Sequence, residues 1–186
     1  MPEDPDLSIS GPERPATDLA SGLAISETCA DWRAALPDLD VLSHDAIRAS
    51  LVAIGTFGPP PEISLAFADD ETVRGLNRDY RDMDKATNVL SFPLMDGDQP
   101  ADGLAGPVML GDVILAFGTV RTEAAAQQKS LAAHTSHLVV HGVLHLLGHD
   151  HDDDDQAEVM EALERKILAS LAIDDPYQMP NEKGAA

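Results

Sequence analysis

The chain has 186 residues, 44% of them apolar and 24% charged, which fits one globular domain with a sizeable core. Its 33 acidic residues against 12 basic ones give a net charge of −21, which favours solubility and opposes loose attachment to polyanions. The absence of an apolar run of about eighteen residues, the acidic N-terminus and the single Cys29 argue against a membrane span, a secretory signal, an internal disulfide and a cysteine zinc ribbon, so a soluble cytoplasmic protein is expected.

Residues 1–18 carry Pro2, Pro5, Pro12 and Pro15 among acids and small polar residues, a composition read as a disordered extension. Residues 19–173 read as a single domain and 174–186 as a tail. Within the domain, Leu23 to Cys29 is expected as a first strand. Asp38 is placed to cap a helix carrying Leu39, Leu42, Ala46, Ala49 and Ile54, before Pro59-Pro60-Pro61 forces a break. Ile63, Leu65 and Phe67 alternate as in a strand, and Asp69 is placed to cap a helix through Val73, Leu76 and Tyr80. Thr87 to Phe92 reads as a strand stopped by Pro93, and residues 96–107 as a loop rich in Gly, Asp and Pro.

Leu110 to Phe117 reads as a further strand, where Gly111-Asp112 signals either a bulge or an aspartate aimed at something polar. A short helix over Thr119 to Gln128 follows. Ser130 then caps a longer helix, apolar nearly all round, that carries His134, His137, His141 and His145 and is expected at the centre of the domain. His134 and His137 are assigned to structural hydrogen bonds or a rim role. Asp152 to Asp155 precede a last helix with Val159, Leu163, Ile167 and Leu171 as its apolar stripe, acids first and bases last in accord with the helix dipole.

Two clusters carry chemistry. Arg74, Arg78, Arg81 and Lys85 place four of the 12 basic residues within one short stretch, the first three at i, i+4, i+7, so a local basic patch survives the acidic average. Either a phosphate-binding stripe or an ordinary solvated face has this pattern. The second cluster is His141-Gly142-Val143-Leu144-His145-Leu146-Leu147-Gly148-His149-Asp150-His151. On a helix, His141 and His145 stand about 40° apart and one turn from each other, so both imidazoles can reach one ion. Gly148 can end the helix in the left-handed conformation and let His151 fold back as a third ligand. Three histidines leave a fourth position of a zinc ion open to water or substrate, as a hydrolase requires.

The spacing matches that of the metzincin proteases, but Gly142 stands where they carry the glutamate base. His149 continues the i, i+4, i+8 series and would compete with His151 if the helix ran on; it is a bystander, a proton carrier or a fourth ligand. Asp150 can orient an imidazole from behind.

Together, His141-Gly142-x-Leu144-His145-Leu146-Leu147-Gly148-x-Asp150-His151, the segment Asn77-x-x-Tyr80-Arg81-x-x-Asp84-Lys85-x-Thr87-Asn88-Val89-Leu90-Ser91-Phe92-Pro93, and Leu110-Gly111-Asp112-Val113-Ile114 resemble the YbeY endoribonuclease, or rRNA maturation factor, family. The resemblance covers roughly residues 20 to 177. It implies an α+β fold with a small, mostly four-stranded sheet packed by about five or six helices, and a metalloprotease-like zinc-binding helix at the centre. It also implies one zinc ion on His141, His145 and His151, and Arg81 lining the same cleft as a residue needed for activity. The implied role is a single-strand-specific endoribonuclease in 16S rRNA 3′-end maturation, ribosome biogenesis and ribosome quality control. Arg74, Arg78 and Lys85 then become candidate RNA contacts, and Asp112, His149 and Asp150 candidate residues around the ion, with Asp112 or His149 as proton acceptor. The acidic chain suggests that the small ribosomal subunit, or a basic ribosomal protein, delivers the RNA. The rival readings are a noncatalytic assembly factor with a structural zinc and a metallopeptidase.

Overall fold

The computed structural model describes residues 22–55, 61–94 and 108–178. The extension over 1–18, the loop over 96–107 and the last residues of the tail lie outside the described residues. Four strands, β1 (Leu23–Glu27), β2 (Glu62–Ala68), β3 (Val89–Pro93) and β4 (Met109–Ala116), form one sheet in the order β1-β2-β4-β3. The first three in that order are parallel, and β3 runs antiparallel to β4 at the edge. Six helices accompany them: α1 (Asp31–Ala35), α2 (Leu39–Ile54), α3 (Asp70–Arg81), α4 (Phe117–Ala126), α5 (Leu131–Leu146) and α6 (Asp154–Ser170). This is the expected α+β architecture, with α5 packed on β3, β4, α2, α4 and α6 at its centre.

The sheet presents two different faces. On β4, Val113 turns toward α5, while Ile114 belongs to a smaller cluster with Val73, Leu76, Leu90 and Phe92 under α3. Strand alternation therefore puts Asp112, beside Ile114 in period, on the α3 side. The bulge expected at Gly111 is present: Glu62 pairs with Met109 and Ile63 with Gly111, so Leu110 is the extra residue. Gly111 has φ +140°, and a Cβ there would come within 2.2 Å of the Phe92 carbonyl oxygen. Pro93 closes β3 rather than stopping the strand before it, which an edge strand tolerates because no ladder donor is lost on its open side.

Several local readings shift. Asp38 occupies the first position before α2, but at φ −94°, ψ 25° it lacks the extended geometry of a side-chain cap and makes no capping bond. α1 has no counterpart in the sequence reading. Its five residues are too few to display a period, and it is held by Trp32, which packs edge-on against Phe67 and Phe117 and donates Nε1–H to the Ala68 carbonyl at 2.9 Å. α4 starts two residues earlier than expected because its cap comes from elsewhere: the Asp70 carboxylate, on the first turn of α3, accepts from the Gly118 and Thr119 amides at 2.7 and 2.8 Å. In α6 the buried stripe is Met160, Glu164, Ile167 and Leu168, whereas Val159 is 57% exposed. Beyond residue 173, Asp175 lies 3.6 Å from Arg165 Nε, and Pro176 and Tyr177 are hydrogen-bonded to Lys129 and Glu164.

Candidate metal centre

Ser130 caps α5 by accepting from the Ala133 amide at 3.1 Å, and the helix runs unbroken to Leu146. It ends in a paired closure: the His149 amide donates to the Leu144 carbonyl and the Gly148 amide to the His145 carbonyl, both at 3.0 Å, with Gly148 at φ +87°. The chain reverses there. Asp150 accepts from the His151 amide at 2.8 Å, and the His151 ring comes to 5.4 Å from that of His141 and 5.0 Å from that of His145. One nitrogen from each of His141, His145 and His151 lies within 4.8 Å of the other two. The Nε2 atoms of His141 and His145 are 3.1 Å apart, close to the separation of about 3.3 Å between two nitrogens on one tetrahedral zinc ion. The donor set fits a zinc-type ion, with three imidazoles and a remaining position open to the cleft.

Behind this triad stands a residue the sequence reading missed. Glu164 of α6 is completely buried, and its carboxylate accepts from His141 Nδ1 at 2.7 Å, from His137 Nε2 at 2.9 Å and from the Tyr177 hydroxyl. Burial pushes this carboxyl up, but the hydrogen bonds from His137, His141 and Tyr177 outweigh it and bring it down to about 2. An ionised Glu164 makes Nδ1 of His141 the protonated nitrogen and leaves Nε2, 3.1 Å from His145 Nε2, as the nitrogen that would hold an ion. Burial and the Glu164 carboxylate push the Tyr177 phenol up, so it remains a donor. Burial, and then the neighbouring His141 and His151, push His145 down to about 4, which keeps its ring neutral and ready to ligate.

The triad opens into a cleft of about 590 Å³ lined by Arg81, Thr87, Asn88, Val89, Ser91, Pro93, His141, His145 and residues 148–152. Here α3 delivers Arg81 from its last turn. Among the described residues Arg81 makes no ion pair, whereas Arg74 is held by Asp84 at 2.7 and 2.9 Å and Arg78 by Asp79 at 2.9 Å. The stripe is therefore split. Arg74 and Arg78 are paired on an exposed face and do not line the cleft, and Lys85 is exposed and also outside its lining.

The structure also sorts the remaining candidates. His149 and Asp150 line the cleft, with Asp150 Oδ1 3.8 Å from His145 Nδ1, but His149 does not join the converging nitrogens. Asp112, in period with Ile114, lies on the α3 face of the sheet and is not among the residues that line the cleft. His134 and His137 have the hydrogen-bonding roles assigned to them, His134 to Glu123 at 3.0 Å and His137 to Glu164. The missing glutamate has a packing reason. A Cβ on Gly142 would come 2.6 Å from Val113 Cγ1 and 3.1 Å from Ser91 Oγ, so this position is where α5 touches the sheet.

The family model for Endoribonuclease YbeY matches residues 25–172. The chain belongs to the YbeY family. Its relatives in that family include an Endoribonuclease YbeY from Paramagnetospirillum magneticum, 50% identical over 158 residues that cover 83% of this chain and 94% of the relative. Another, from Azorhizobium caulinodans, is 52% identical over 82% of this chain and 94% of its own length. A third, from Rhodospirillum rubrum, is 43% identical over 100% of this chain and 99% of its own. Among solved structures, the solution structure of TM1509 from Thermotoga maritima superposes with a TM-score of 0.51 at 18% identity, covering 87% of this chain and 99% of TM1509, a likeness of fold. The segment that matches the family model, residues 25–172, thus contains β1 from Ile25 onward, the other strands and the helices of the described residues, and all three converging histidines.

Proposed function

We propose that this protein is a zinc-dependent, single-strand-specific endoribonuclease acting in 16S rRNA 3′-end maturation, ribosome biogenesis and ribosome quality control in the cytoplasm. The observation that carries the reading is the convergence of His141, His145 and His151 in the same cleft as Arg81, which makes no ion pair among the described residues. The relatives' shared name, Endoribonuclease YbeY, supports RNA as the substrate. When bound, zinc supplies Lewis acidity toward a phosphoryl oxygen and lowers the pKa of water. The chain's own residues do the rest. Glu164 fixes the His141 tautomer. Arg81 pairs with the phosphate as negative charge develops, a charge-assisted contact that strengthens toward the transition state. With Asp112 on the other face of the sheet, His149 is the imidazole in the cleft outside the ligand set and takes the proton that no glutamate at position 142 can accept.

Against a structural zinc stands the open fourth position, since no fourth His, Cys, Asp or Glu among the described residues joins the triad. Against a metallopeptidase stands Gly142, whose packing leaves no room for a side chain. The net charge of −21 favours substrate delivery by the small ribosomal subunit or a basic ribosomal protein over capture of free RNA. End-labelled single-stranded RNA tests the proposal. Chelation is expected to abolish cleavage, zinc to restore it in the wild type, and zinc to fail with His145→Ala. Unchanged cleavage by metal-stripped His145→Ala overturns the reading.

A further inference from the structure

The C-terminal segment reaches the metal centre through one hydroxyl. Tyr177 lies seven residues beyond the end of α6 and 41% of its surface is open to solvent, yet its hydroxyl donates to the completely buried Glu164, whose other oxygen holds His141 Nδ1 at 2.7 Å. The segment's other anchors are separate from that bond. Lys129 Nζ donates to the Pro176 carbonyl at 2.5 Å, Arg165 Nε stands 3.6 Å from Asp175 Oδ1, and the Arg165 guanidinium lies over the Tyr177 ring at 5.1 Å. The segment's link to a fully buried side chain is through the carboxylate that orients a metal ligand.

We propose that Tyr177 is a positioning residue of the metal centre, so that metal binding at the triad and docking of residues 174–178 are thermodynamically coupled. A buried glutamate has several rotamers. Tyr177 and His137 on one oxygen and His141 on the other select a single one, in which Oε1 faces His141 and fixes that ring for the ion. An ion on His141 favours the same rotamer from the opposite side, because it requires the proton on Nδ1 and hence an acceptor there. Two events that select one state of a shared group assist each other, and the assistance is equal in both directions. The segment is thus a report on metal occupancy at the surface of the protein.

The proposal rests on metal binding by the triad and is independent of RNA cleavage. Tyr177→Phe removes the hydroxyl and keeps the ring under Arg165 and against His137. Competition between the protein and a chromophoric chelator for Zn2+ alone, well below the melting temperature, is expected to show affinity weakened about threefold to tenfold by Tyr177→Phe. Glu164→Gln should weaken it by about tenfold to a hundredfold, the range for a ligand's outer partner. In the wild type, Zn2+ should slow hydrogen exchange at the Tyr177 and Gln178 amides by a factor matching the Tyr177→Phe loss. This second measurement needs no variant to fold. Zinc affinity within twofold of wild type for Tyr177→Phe, or exchange at 177 and 178 indifferent to Zn2+, overturns the coupling while the functional reading stands. A wild-type chain that binds no Zn2+ overturns both.

Discussion

Gly142 settles at the level of a single atom why a protease-like histidine spacing lacks the protease's acid. The position that would carry the glutamate faces Val113 and Ser91, so α5 rests on the sheet through a hydrogen atom. Gly142→Ala gains about 1 kcal/mol of helix propensity. Overpacking against a β-branched neighbour that cannot swing away costs about 1–3 kcal/mol. A net loss of about 1 kcal/mol is therefore expected, read as a lowered melting temperature by calorimetry; a stabilised variant would show that α5 is free to lift from β4. The sequence showed the absence of the acid and could not show its cause, because the clash involves a strand far away in the chain. Glu164 was hidden for a related reason. Reading α6 as Val159, Leu163, Ile167 and Leu171 assigned the stripe by apolarity alone, whereas the buried face includes an acid paid for by three donors. The available signal was an acid spaced four residues after Met160 and four before Leu168, with His137 and His141 needing partners.

Elements that announce themselves locally were legible: alternation marked β2 and an apolar run marked β4, Asp69 and Ser130 cap the helices they precede, and Gly148 ends α5 as its conformational freedom suggests. Those defined by tertiary partners were not, as α1 hangs on Trp32 and α4 begins where Asp70 caps it. The end of α5 is the element on which the ligand set depends. Nothing lies within 4 Å of a Cβ built on Gly148, so Gly148→Ala meets only backbone strain, about 1–2 kcal/mol in the left-handed region. Its second effect is larger for the site: relief of that strain by extending the helix carries His151 away and swings His149 into the series. Gly148→Ala is expected to lose at least tenfold in zinc affinity beyond what its denaturation curve accounts for. Equal zinc affinity in variant and wild type would show that the reversal does not depend on glycine.

At the scale of the whole molecule, the chain carries 33 acids against 12 bases, and Arg81 is the arginine that lines the described cleft. The stripe at 74, 78 and 81 is visible in the sequence, but the acids that neutralise its first two members come from Asp84 and Asp79, a pairing that only side-chain geometry settles. With Arg81 and Lys85 as the remaining candidates, log affinity for single-stranded RNA is expected to fall against log salt with a slope of about −1.5. Fluorescence anisotropy across a salt series measures it. A slope near −10 would mean a broad basic surface that this chain does not carry. The weak electrostatic term agrees with a substrate presented within a particle.

Asp70 does more than begin a helix. As the first residue of α3 its backbone starts the element that ends at Arg81, while its carboxylate grips the first amides of α4, which packs on α5. The arginine and the histidines share no covalent neighbourhood, so their alignment depends on how α3 is seated: on the sheet through Val73 and Leu76, and on α4 through this joint at its far end, about 16 Å of helix away. The cleft's two chemical halves are in this sense the arms of a caliper, and one of the contacts that hold them apart, the Asp70 carboxylate, lies outside the cleft altogether.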